Sequence, residues 1–235
     1  MGTSMGAELG AAQATRLAAW LSPSFPIGAF SYSHGLERAV EVGLVKDEAS
    51  LAAWLGELMR FGSGRSEAIW FACAFDAAAA RADLLEVAAL AQALRASAEL
   101  ALEAECQGSA FLLAVGNAWP DERLAEAVRW LAEAGIAPVL PVAVGAACRA
   151  HGLPKAPALA LYLHAFVANL VSAGVRLVPL GQSAGQRTIA ALEAAVLDAA
   201  DAAQGATLDD PGTACPMAEI LSMQHETQYT RLFRS

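Results

Sequence analysis

Cations, cysteine and strand formers are all scarce in this chain of 235 residues, and each scarcity excludes something. Lys and Arg number 15 against 24 Asp and Glu, for a formal charge of −9. A polyanion-binding protein needs a Lys/Arg surplus on some face, so nucleic acid is excluded as a partner. Only four cysteines occur, Cys73, Cys106, Cys148 and Cys215. No two stand in a CxxC spacing, so a zinc site is not encoded, and scattered thiols read as small apolar residues in a reducing compartment. β-branched residues rarely cluster, and no Asn-Gly or Asp-Gly turn joins two alternating runs, which argues against hairpins. A secretory leader is not legible: the first basic residue is Arg16, and no charged start precedes an apolar run. The expectation is a cytoplasmic protein.

What the chain does have is apolar material. Hydrophobic residues make up 56% of it, with a mean hydropathy of +0.41. Area scaling gives a folded surface of about 10,000 Å² against about 35,000 Å² unfolded, enough for one sizeable core. Ala, Leu and Glu abound, all strong helix formers. Leu51, Trp54, Leu55 and Leu58 recur at helical steps. Val87, Leu90, Leu94 and Leu102 repeat the pattern less strictly. From Pro120 to Ala134, a first-turn Pro, then Asp121 and Glu122, precede apolar residues at 124, 128 and 131. Residues 156–175 carry no formal charge over a membrane-spanning length. Their content of Ala, with Pro157, His164, Asn169 and Ser172, points instead to a buried central helix, with His164 in the core and no membrane. The breaks between helices are short, as within one compact unit. The expected architecture is all-α, a single compact domain of about eight to ten helices around a central apolar helix. Residues 1–16 are expected to be a flexible lead-in, 17–224 the helical domain and 225–235 a tail.

Enzyme-like signals are few. Residues 181–185, GQSAG, match the nucleophile-elbow pattern G-x-S-x-G, with Asp209 or Asp210 and then His225 following in hydrolase order. That elbow needs a parallel sheet, and the preceding chain reads as helices. Ser183 with Gln186 also forms a capping-box pattern, the reading that helical context favours. The histidines His34, His151, His164 and His225 are isolated, with no i, i+4 ligand pair; His34 and His225 are the candidates for any metal contact. Gly62-Ser63-Gly64 lacks the rest of a phosphate loop. Glu99, Glu103 and Glu105 read as a polar helical face.

Two segments are odd for a soluble protein. Residues 22–37, SPSFPIGAFSYSHGLE, are rich in turns and aromatics, with Pro23, Pro26 and Gly28 shaping the backbone. Residues 225–235, HETQYTRLFRS, give an acidic protein a basic, aromatic end. Tyr and Arg are enriched in interface hot spots. Burying Leu232 and Phe233 on the chain's own body would gain roughly 1.5–3 kcal/mol each, against about 1–2 kcal/mol per residue for ordering the tail. On that balance, deleting residues 227–235 is expected to leave helicity and melting temperature nearly unchanged and to abolish partner capture.

Both segments, together with residues 172–182, SAGVRLVPLGQ, resemble in order and spacing the urease accessory protein UreF family. The stretch from about Leu51 to Leu153 resembles it only in helical character and length. The resemblance implies an all-α, homodimeric, non-catalytic adaptor of urease maturation. It implies binding to a second accessory protein (D, called H in some organisms), recruitment of a nickel-carrying GTPase (the G protein), and delivery of nickel to apo-urease. No tightly bound cofactor is implied; nickel is handled by the complex. Phe30, Tyr32, Tyr229, Arg231, Leu232, Phe233 and Arg234 are the implied partner-binding residues, with Gln182 and Gln186 in support.

Overall fold

Short acidic and hydroxyl side chains set several helix starts. In the computed structural model, which describes residues 9–235, the Asp47 carboxylate accepts from the Ser50 amide at 2.8 Å. Ser97 accepts from the Leu100 amide at 3.2 Å, and Asp121 from the amides of Arg123 and Leu124 at 2.9 and 3.3 Å. Eleven α-helices result: α1 (Ala11–Trp20), α2 (Leu36–Glu41), α3 (Glu48–Phe61), α4 (Ser63–Ala77), α5 (Arg81–Ala93), α6 (Ala98–Ala118), α7 (Glu122–Ala134), α8 (Leu140–Ala150), α9 (Lys155–Leu177), α10 (Gln182–Ala203) and α11 (Pro216–His225). A 3-10 turn (Ala29–Ser31) precedes α2, and no strand occurs among the described residues. Fold class and single core follow the sequence; the six-residue α2 is too short to register as a periodicity.

Small residues decide how closely the helices approach. A Cβ at Gly145 of α8 would lie 2.5 Å from the Phe71 carbonyl oxygen of α4. One at Gly174 of α9 would meet the Leu51 side chain of α3 at 2.6 Å. Helix α4 therefore sits tight against α8, and also packs on α3, α5, α9 and α10. Its Trp70 and Phe71 are fully buried.

Several expectations are corrected. Helix α4, not the 156–175 helix, is buried nearly all round. Helix α9 packs on α10, α4, α2 and α3 but keeps an outer strip in which His164 and Leu161 are exposed, so His164 is no core histidine. It is also the one helix among the described residues long and apolar enough to cross a membrane, and half of that stretch is buried against the rest of the chain. The flexible lead-in cannot reach residue 16, because α1 starts at Ala11 and buries Leu17 and Trp20; residues 1–8 lie outside the described residues. The run from Val87 to Leu102 is two helices, broken before the Ser97 cap. Pro120 precedes the Asp121 cap and is outside α7.

Candidate functional site

The two unusual segments meet. Gly28 and Gly35 adopt left-handed backbone at φ 72° and 75°, and His34 between them is left-handed too, at φ 53°. The bend brings Gly35 so close to α11 that a Cβ there would lie 3.0 Å from the Ser222 amide nitrogen. Helix α11 thus packs on α2, and the chain beyond it returns along residues 31–37. The Arg234 amide donates to the Ser31 carbonyl at 2.8 Å, and the Ser33 amide donates to the Ser235 carbonyl at 2.8 Å.

Three glutamates hold this tail from beneath. Glu37 of α2 accepts from the amides of Leu232 and Phe233 at 2.7 and 2.9 Å and from His225 Nε2 at 3.1 Å. Glu99 of α6 faces His225 Nδ1 at 2.7 Å and Arg231 at 2.5 Å. One turn along, Glu103 meets His34 Nε2 at 2.9 Å and Gln107 at 2.8 Å, and the Ser235 hydroxyl donates to it at 2.5 Å. His225 has no solvent exposure and a carboxylate on each ring nitrogen. Burial alone would pull the His34 imidazole down, but the charge and hydrogen bond of Glu103 outweigh it and hold the ring above its ordinary value. Phe233 is buried beneath the Arg176 guanidinium, 4.3 Å from its ring centre, and Arg176 also donates to the Phe30 carbonyl at 2.7 Å.

A cavity of about 360 Å³ opens beside this junction, walled in part by His34, Glu103 and Gln107. Glu67 and Arg95 also line it; Glu67 pairs with Arg95 at 2.5 Å and accepts from the Tyr162 hydroxyl. Burial, reinforced by Glu67, pushes that phenol well above its usual value. Among the described residues no group of three or more His, Cys, Asp or Glu could hold a metal ion. His34 and His225 are engaged instead by carboxylates.

The residues singled out from sequence divide by burial. Phe30, Tyr229 and Leu232 are exposed at 67%, 102% and 64%, and the side chains of Arg231 and Arg234 also reach solvent. Tyr32 and Phe233 are buried and lie beneath that surface. Burial raises the Tyr32 hydroxyl, partly offset by Arg234. Gln182 and Gln186 are exposed on α10, with no hydrogen bond to either segment. Ser183 is exposed at the second position of α10, whose cap is Gly181 without a side-chain bond, so neither the capping box nor a nucleophile's base is present. Glu37, Glu99, Glu103 and Arg176 were missed. Glu99 and Glu103, read as solvated, share a helix face by their i, i+4 spacing, and a basic tail needing acceptors was the available signal.

A protein-family model described as UreF matches residues 45–193, including the stretch that looked least distinctive by eye. Among curated relatives, a protein of Rhodopseudomonas palustris (strain BisB5) is 51% identical over 238 residues, covering 99% of this chain and 97% of its own. One of Xanthobacter autotrophicus is 53% identical over 222 residues, covering 93% and 90%. One of Rhizobium leguminosarum bv. viciae is 49% identical over 223 residues, covering 94% and 95%. Each is named urease accessory protein UreF.

Proposed function

Since the chain belongs to the UreF family of urease accessory proteins, we propose that it serves urease maturation as a non-catalytic adaptor in the cytoplasm. In this reading it works as a homodimer, binds the D/H accessory protein, and with it recruits the nickel-carrying GTPase to apo-urease. Nickel is the cargo of the assembly and needs no resident site on this chain.

The observation that carries the reading is the docked tail. It leaves Phe30, Tyr229 and Leu232 facing solvent beside guanidinium groups, a composition typical of interface anchors. The outward groups are built on a hydrogen-bonded base, so little ordering entropy is lost when a partner arrives. Serine hydrolysis gains no support, because Ser183 has no partner group and His225 lies between two glutamates.

The test is co-expression with the accessory proteins and apo-urease, read as complex mass and urea hydrolysis. The intact chain should enter the complex and yield active urease. A Tyr229→Ala, Leu232→Ala double variant should fold normally and lose both. Full activation by that variant, or substrate turnover by the purified chain alone, would overturn the proposal.

A further inference from the structure

The cavity of about 360 Å³ has a polar lining that the chain's own contacts leave incomplete. It opens between α4, the α5–α6 turn and the loop joining α10 to α11. Its size lies at the small end of ligand pockets, which run roughly 300–1,000 Å³. The loop is pinned, since Arg65 donates to the Asp210 and Gly212 carbonyls at 3.0 Å each and the Ala214 amide donates to Phe61. The cavity is therefore preformed. Glu67 and Glu103 in its lining are buried, with side chains 6% and 3% exposed. Arg95 answers the first at 2.5 Å and His34 the second at 2.9 Å, and Glu103 favours the protonated ring. Those four charges cancel, yet hydrogen-bonding capacity is left over. Arg95 Nη2 and His34 Nδ1 are buried with no partner among the described residues. Gln107, also buried in the lining, gives its amide nitrogen to Glu103 at 2.8 Å, and its carbonyl oxygen has no bond there. Trp70, Leu100 and Phe166 supply apolar wall.

We propose that this cavity binds a small uncharged molecule carrying a carboxamide on an apolar body. The amide oxygen answers the N–H groups of Arg95 and His34, the amide nitrogen donates to Gln107, and the body lies against Phe166 and Leu100. Unmatched buried donors are costly, and one ligand group that both accepts and donates relieves that cost. A carboxylate ligand fits badly. The buried charges already balance, so it would stay without a counter-ion, and Glu219, a further carboxylate of the lining, repels it. An ammonium ligand fits badly for the opposite reason, because the unmatched nitrogens of Arg95 and protonated His34 are donors on cations. The site lies outside the adaptor reading and does not depend on it.

Saturation-transfer NMR and calorimetry on the full chain test it, with benzamide, benzoate and benzylamine as probes at about pH 6, where the last two are ions. Benzamide should bind, and each ion should bind at least roughly tenfold more weakly. Ala93 lines the cavity from an exposed position of α5. Ala93→Trp should therefore block it, abolish benzamide binding and leave the melting temperature unchanged. Arg95→Lys keeps a charge for Glu67 but lacks the second nitrogen of the fork, and should weaken benzamide roughly tenfold. Equal or tighter binding of either ion overturns the uncharged-amide assignment. Benzamide binding that survives Ala93→Trp, or no binding of any probe, overturns the site itself.

Discussion

His34 is the residue where backbone conformation and charge meet. Its left-handed φ is uncommon for a side chain of this size, and it places the ring edge-on to Phe166 at 5.1 Å with Nε2 on Glu103. Besides Glu103, the charges that act on it are Glu67, which favours the protonated ring, and Arg95, which opposes it. Because the folded-state value lies above the ordinary one near 6.5, protonation contributes stability that is complete below about pH 6.5 and is lost as pH rises through the raised value. Urea-unfolding midpoints taken between about pH 6 and about pH 8.5 should fall for the native chain relative to His34→Gln. Parallel curves for the two proteins would show that the Glu103 contact does not depend on the proton.

At the scale of the element, glycine separates two opposite outcomes. Gly145 lies where α8 meets the α4 backbone, so Gly145→Ala must move a helix and should cost about 1–3 kcal/mol in urea unfolding. Gly116 is an exposed position inside α6 with nothing within 4 Å of a Cβ, so Gly116→Ala should stabilise by about 0.5–1 kcal/mol. Equal effects at the two sites would undo the close-approach account of the α4–α8 contact. Sequence made part of this level visible. The i, i+4, i+7 spacing of Leu124, Val128 and Leu131 locates α7, though the buried face runs through Leu124, Ala127 and Leu131 and leaves Val128 exposed. Helix α9 misled more fully. A stretch that is apolar on every side carries no phase, and only tertiary contacts decide that Leu161 and His164 face outward. The 22–37 and 225–235 segments stood out by composition, but their mutual contact spans some two hundred positions and leaves no periodic trace. The same holds for the glutamates beneath them, because a carboxylate that caps a returning tail looks in sequence like any solvated one.

For the whole molecule, the tail is a closing element of the core more than an appendage. Phe233 is 4% exposed and Ser235 fully buried, and the tail supplies donors to Glu37, Glu99 and Glu103. The expectation that deleting residues 227–235 would leave stability untouched weighed only apolar burial against chain entropy. It omitted the carboxylates, which after deletion would sit in a partly dry cleft with fewer partners, and such losses are the expensive kind. The deletion should therefore lower stability by at least about 2 kcal/mol, a shift of about 4–8 °C in melting temperature for a domain of this size. Hydrogen exchange gives the sharper reading. In the intact chain the amides of Ser33, Leu232 and Phe233 should be protected nearly as well as those of α4, because each is bonded at the junction. In the deletion, protection at Ser33 should vanish while α4 keeps its own. Fast exchange at all three amides in the intact chain would mean that the tail is undocked in solution, and its contact with residues 31–37 could then form only after a partner had captured it.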